Sequence, residues 1–84
     1  MGYNNLQIQD FIINKLIKYN VSLDKNNINP ESKLFNDSII DSVSFVELIV
    51  DIQKQFEFEF NSDEINETNF KNVKCLSRFI INKI

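Results

Sequence analysis

Residues 45–56 place Phe45, Leu48, Ile49, Ile52 and Phe56 at i, i+3, i+4, i+7 and i+11, an apolar stripe with the period of an α-helix. Such a stripe has to be covered, and a chain of 84 residues is expected to form one domain with one modest core to cover it. A single Gly and a single Pro leave few breaks in the chain, which favours long helices. Asp41 and Ser42, just before the stripe, are both good N-cap residues, so the helix is expected over about 42–56. Ser44-Phe45-Val46-Glu47 also fits a capping box and would start it two residues later.

Three further helical segments are expected, giving an all-α, four-helix bundle over 1–84. The first, over about 4–19, carries Ile8, Phe11, Ile12, Leu16 and Tyr19 on one face, with Gln9, Lys15 and Lys18 available for the wet face. The third, short and over about 62–67, follows the capping signal Asn61-Ser62-Asp63-Glu64. The last, over 72–84, aligns Val73, Leu76, Ile80 and Ile84, with Arg78 and Lys83 toward the negative end of its dipole. Between the first two helices lies a long Asn-rich loop, with one short turn expected around Ser32–Phe35. Val21, Leu23, Ile28, Leu34 and Phe35 are too frequent there for a free linker and should pin it across the helices. Phe56-Glu57-Phe58-Glu59-Phe60 alternates as a half-buried strand would, but nothing else in the chain offers a ladder partner. It is read as a frayed helix end and an extended segment that turns Phe58 and Phe60 into the core.

Charge and residue usage narrow the function. Nine basic against 12 acidic residues give a net charge of −3, which disfavours nucleic acid and anionic lipid and favours basic partners. No apolar run reaches the roughly 20 residues of a membrane span, and no basic-then-apolar leader opens the chain, so a soluble cytoplasmic protein without membrane insertion is expected. Leu6 stands where an N-myristoylation motif wants Ser or Thr. One cysteine, Cys75, excludes an internal disulfide and a multi-cysteine zinc site, and its apolar-periodic surroundings mark it as a buried structural thiol. The absence of histidine removes the commonest general base and every Ser-His-Asp arrangement, so an enzyme is not expected.

The stretch Ile39-Ile40-Asp41-Ser42-Val43-Ser44-Phe45-Val46-Glu47-Leu48, with a helix before it and an acidic short helix and an amphipathic helix after it, resembles the acyl and peptidyl carrier family. The resemblance covers essentially the whole chain. It implies that Ser42 carries a covalent 4′-phosphopantetheine arm taken from coenzyme A, with Asp41 as the supporting motif residue, and that the arm's thiol holds an acyl or aminoacyl group as a thioester. It also implies partners: a phosphopantetheinyl transferase that uses Mg²⁺ only during transfer, an adenylating acyl or aminoacyl ligase or synthase, and a downstream acyltransferase. A monomer is expected, and no resident metal is implied. A helix N-terminus suits a phosphodiester, because unpaired N–H groups and the positive end of the dipole tolerate its charge. Asp37-Ser38 repeats the dipeptide, but Ser38 lies four residues too early for the start of the stripe.

With the stripe of the second helix turned inward, Val43, Val46, Glu47 and Val50 are left on or near its outer side, and the resemblance assigns them to partner contact. Glu47 is the charged candidate for meeting a basic partner. Fatty-acid carriers usually show Leu-Gly-Ala-Asp-Ser-Leu-Asp. Leu34-Phe35-Asn36-Asp37-Ser38-Ile39-Ile40-Asp41-Ser42 looks more like the Leu-Phe-x-x-Gly-Leu-Leu-Asp-Ser pattern of D-alanyl and other stand-alone aminoacyl carriers, with Ser38 in place of Gly. The rival reading is a small helical protein–protein interaction domain without a prosthetic group, in which Ser42 is only a cap.

Overall fold

The computed structural model describes residues 2–20, 28–35 and 39–84. Among them the chain forms three α-helices, α1 (Asn5–Tyr19), α2 (Ser42–Phe56) and α3 (Val73–Lys83), with a 3-10 turn at Ser62–Glu64. Each helix begins where a side chain satisfies a backbone donor that the helix itself cannot. The Asn4 side chain accepts from the Gln7 N–H at 2.8 Å while Gln7 Oε1 accepts from the Asn4 N–H at 3.0 Å, a reciprocal capping box. Asn72 Oδ1 accepts from the Cys75 N–H at 2.7 Å at the start of α3.

α1 packs against both α2 and α3. Its Ile8, Ile12 and Leu16 are buried against Leu48, Ile52 and Phe56 of α2 and Val73, Leu76 and Ile80 of α3 in one core. A run of rings joins α2 to α3 at the other side. Phe45 of α2 meets Phe70 at 5.1 Å, Phe70 meets Phe60 at 5.4 Å, and Phe60 stacks on Phe79 of α3 at 5.6 Å. Phe70, almost fully buried, is the middle of that run and had no periodic signal in the sequence.

α2 ends at Glu57, which takes a left-handed conformation (φ 55, ψ 52) and reverses the chain. The Gln53 side chain then accepts from the Phe60 N–H at 2.9 Å and holds the alternating segment extended, with Phe58 and Phe60 half-buried against the core. Thus a strand-like pattern arises without a strand among the described residues.

The short helix expected over 62–67 is reduced to the single turn at Ser62–Glu64. Asparagine side chains compete for the backbone that would have continued it. Asn66 Nδ2 donates to the Asp63 carbonyl at 2.8 Å, Asn66 Oδ1 accepts from the Asn69 N–H at 2.8 Å, and Asn69 Nδ2 donates to the Glu64 carbonyl at 2.9 Å. Ile84 is exposed beyond the end of α3, and Cys75 is half-buried rather than buried. Gln9 leaves the wet face to donate to Ser77 Oγ at 3.4 Å.

Ile28 and Leu34 are buried, as expected of loop anchors, whereas Phe35 is largely exposed. Turns occur at 30–31 and 34–35. Val21, Leu23 and Ser38 lie outside the described residues. Backbone bonds also tie this loop down: the Leu34 N–H donates to the Lys71 carbonyl at 3.1 Å and the Lys74 N–H to the Pro30 carbonyl at 2.9 Å.

Candidate functional site at the mouth of the second helix

Two buried isoleucines present the site. The N–H groups of Ile39 and Ile40 both donate to the Leu34 carbonyl at 3.1 Å, and their side chains are 5 % and 6 % exposed. The chain then emerges, so Asp41 and Ser42 stand in solvent at the start of α2. Ser42 is the first helical residue and Asp41 is its N-cap, with Oδ1 accepting from the Ser44 N–H at 2.8 Å. The alternative start at Ser44 is not used.

That bond sets the local charge. The Ser44 backbone N–H, followed by the Ser44 hydroxyl, holds the Asp41 carboxyl below the ordinary aspartate value. Asp41 is therefore anionic at neutral pH and occupies part of the donor array that the sequence had reserved for an incoming anion. The Ser42 hydroxyl makes no hydrogen bond among the described residues and is open to modification. A covalent arm fits here, since Ser42 is fixed by its backbone, exposed at its side chain and backed by the helix dipole.

Val43, Val46 and Val50 are 68 %, 59 % and 40 % exposed, and Glu47 is exposed beside them. These four residues do share the outer side of α2. Lys18, Tyr19, Val46, Glu47, Val50 and Asp51 line a groove of about 520 Å³ between this face and the end of α1. The Tyr19 hydroxyl donates to Asp51 Oδ2, and Lys15 Nζ lies 3.7 Å from the same oxygen. Burial, then the hydrogen bond and charge of Asp51 and the charge of Glu47, push the Tyr19 phenol above its ordinary value. Among the described residues no group of acidic, cysteine or histidine side chains could hold a metal ion, and no helix is long and apolar enough to cross a membrane.

The family model described as the phosphopantetheine attachment site matches residues 13–80. The chain belongs to the acyl and peptidyl carrier family. This carrier is 40 % identical over 74 residues, 88 % of its length and 80 % of the relative's, to a protein named acyl carrier protein from Phytoplasma mali (strain AT). It is 33 % identical over 57 residues, 68 % of its length and 63 % of the relative's, to aminoacyl carrier protein 2 of Bradyrhizobium diazoefficiens (strain JCM 10833 / BCRC 13528 / IAM 13628 / NBRC 14792 / USDA 110). A solved chain in a structure described as the crystal structure of an FAD-dependent dehydrogenase aligns with a TM-score of 0.70 and 29 % identity, covering 89 % of this carrier and 99 % of that chain. Membership favours the carrier role over the interaction-domain reading: the protein presents a group on covalent 4′-phosphopantetheine to partner enzymes and is not itself a catalyst. The chemistry supplied by the arm is that of its thiol.

Proposed function

We propose that Ser42 is the attachment residue and that the loaded arm carries an aminoacyl or other small acyl group. The exposed, unbonded Ser42 hydroxyl at the first turn of α2 is the observation that supports this most. In the transfer, the Ser42 oxygen attacks the pantetheine-bearing phosphorus of coenzyme A. A new P–O bond forms, adenosine 3′,5′-bisphosphate leaves, and the serine proton passes to a base on the transferase. Mg²⁺ serves that step alone, and the Asp41 carboxylate supports the site from the adjacent position. The whole chain acts as a single, monomeric cytoplasmic carrier domain, with the Ser62–Glu64 turn standing where a four-helix carrier has its short third helix.

The partners on this reading are a phosphopantetheinyl transferase, an adenylating ligase or synthase and an acyltransferase, which dock through Val43, Val46, Glu47 and Val50. The likeness to a chain in a flavoenzyme structure supports an FAD-dependent dehydrogenase as a further partner class. Intact-mass analysis after incubation with coenzyme A, Mg²⁺ and a broad-specificity transferase tests the site. One arm is expected on the wild type and on Ser38→Ala, and none on Ser42→Ala. Because Asp41 is the cap, Ser42→Ala should keep the circular dichroism of the wild type. Loading that persists in Ser42→Ala would overturn the assignment.

A further inference from the structure

We propose that the groove between the end of α1 and the outer side of α2 receives one apolar side chain of the phosphopantetheinyl transferase, beside the cation with which that enzyme meets Glu47. The inference rests on Ser42 as the attachment residue and on α2 as the docking element, and it adds the end of α1 to the docked surface.

The loading step fixes which partner has to cover this place. Before loading there is no arm, so the transferase must bring its reacting groups within bonding distance of the Ser42 oxygen, whereas later partners can work at the far end of the arm. Val46 and Val50 lie one and two turns along α2 from Ser42, about 6 and 12 Å up the axis at about 1.5 Å per residue. An ordinary interface covers about 800 Å² on each partner, a disc of about 16 Å radius, and one centred on Ser42 reaches both valines.

The chemistry of the walls selects the occupant. The groove, of about 520 Å³, has Val46 and Val50 on the α2 side, 59 % and 40 % exposed, and Lys18 and Tyr19 on the α1 side. One of its two carboxylates is already engaged: Asp51 Oδ2 accepts from the Tyr19 hydroxyl and lies 3.7 Å from Lys15 Nζ. A second cation from the partner would compete with both of those groups and would meet the Lys18 ammonium. An apolar group displaces nothing there and covers two exposed valines. Glu47 makes no hydrogen bond or ion pair among the described residues and is the carboxylate left for a cation. The partner surface that fits is one Arg or Lys next to one large apolar side chain.

The test follows KM for the carrier and kcat during loading by a broad-specificity transferase with coenzyme A and Mg²⁺, at low and at high salt. Val50→Thr keeps the shape of the α2 wall and puts a hydroxyl into it. Its KM is expected to rise several-fold at both salts with kcat unchanged, the mark of a binding contact that involves no charge. Lys18→Met exchanges the ammonium on α1 for an apolar end and is expected to lower KM several-fold at both salts. Glu47→Gln should raise KM at low salt only. Circular dichroism checks the fold of each variant. Unchanged KM in Val50→Thr and Lys18→Met, with Glu47→Gln still effective, would overturn the groove and leave α2 as the docking element. A gain in Lys18→Met that vanishes at high salt would reduce it to relief of charge repulsion and would likewise overturn the apolar anchor. If Glu47→Gln has no effect, or if intact mass finds an arm on Ser42→Ala, the docking geometry itself fails and the groove fails with it.

Discussion

Glu57→Gly should stabilise the carrier without touching its site. Glu57 is the one non-glycine residue with positive φ among the described residues, and its carboxylate makes no ion pair or hydrogen bond there. A left-handed L-residue costs roughly 1–2 kcal/mol, and an exposed anion at the C-terminal end of a helix adds about 0.3 kcal/mol. Glycine removes both costs but enlarges the entropy of the unfolded chain by roughly 0.4–1 kcal/mol. The net gain is about 1 kcal/mol, which for a domain of this size raises Tm by roughly 4–8 °C. Urea and thermal unfolding followed by circular dichroism measure it, with Glu57→Gln as the control that removes charge and keeps the backbone strain. Arm loading should be unchanged, because Glu57 lies about 22 Å along the helix axis from Ser42. If Glu57→Gly is no more stable than Glu57→Gln, the left-handed cap is not where the strain resides and the reasoning fails.

Phe70→Ala removes the middle ring of the run joining α2 to α3 and should cost about 3–5 kcal/mol, against a total of roughly 4–12 kcal/mol for a domain of this size; urea unfolding showing a loss below about 1 kcal/mol would contradict its structural role. Glu64 is held below the ordinary glutamate value by the Asn61 N–H and then by Lys83, whose Nζ lies 2.8 Å from Oε2. Its contribution is therefore present above the unfolded-state value of 4.5 and is lost as pH falls through the lower folded-state value. Glu64→Gln should flatten the stability-versus-pH curve in that acid window, and an unchanged slope would argue against the pair. Glu47→Lys should slow association with transferase or ligase, most strongly at low salt, while leaving the circular dichroism intact; stopped-flow rates that do not change would remove Glu47 from the docking face.

α2 was legible because it carries its own instructions: an apolar stripe, a capping aspartate and a serine beside it all lie within sixteen residues. The exposed valines followed directly from the same period. The third segment was not legible to the same degree, because Asn66 and Asn69 take backbone groups through side-chain bonds that periodicity does not register. Phe70 belongs to no helix, so its burial depends on Phe45 and Phe60 arriving from elsewhere. Residue choice at the mouth of α2 likewise left Asp41 and Ser44 as rival caps until the 2.8 Å bond to the Ser44 N–H decided between them.

The aromatic run also bears on what length of cargo the core can admit. Opening a path between α2 and α3 would separate the Phe35–Phe45, Phe45–Phe70 and Phe60–Phe70 pairs, whose centroids lie 5.1–5.4 Å apart. At roughly 0.5–1.5 kcal/mol per pair, plus about 2 kcal/mol for exposing one Phe ring, the opening costs about 4–6 kcal/mol. A butyryl chain returns about 2.4 kcal/mol if its three distal carbons are fully buried, at about 0.8 kcal/mol per CH₂. An octanoyl chain returns about 5.6 kcal/mol on the same scale and only breaks even. Short groups thus gain too little from burial to open the helices and are expected to stay on the solvated arm.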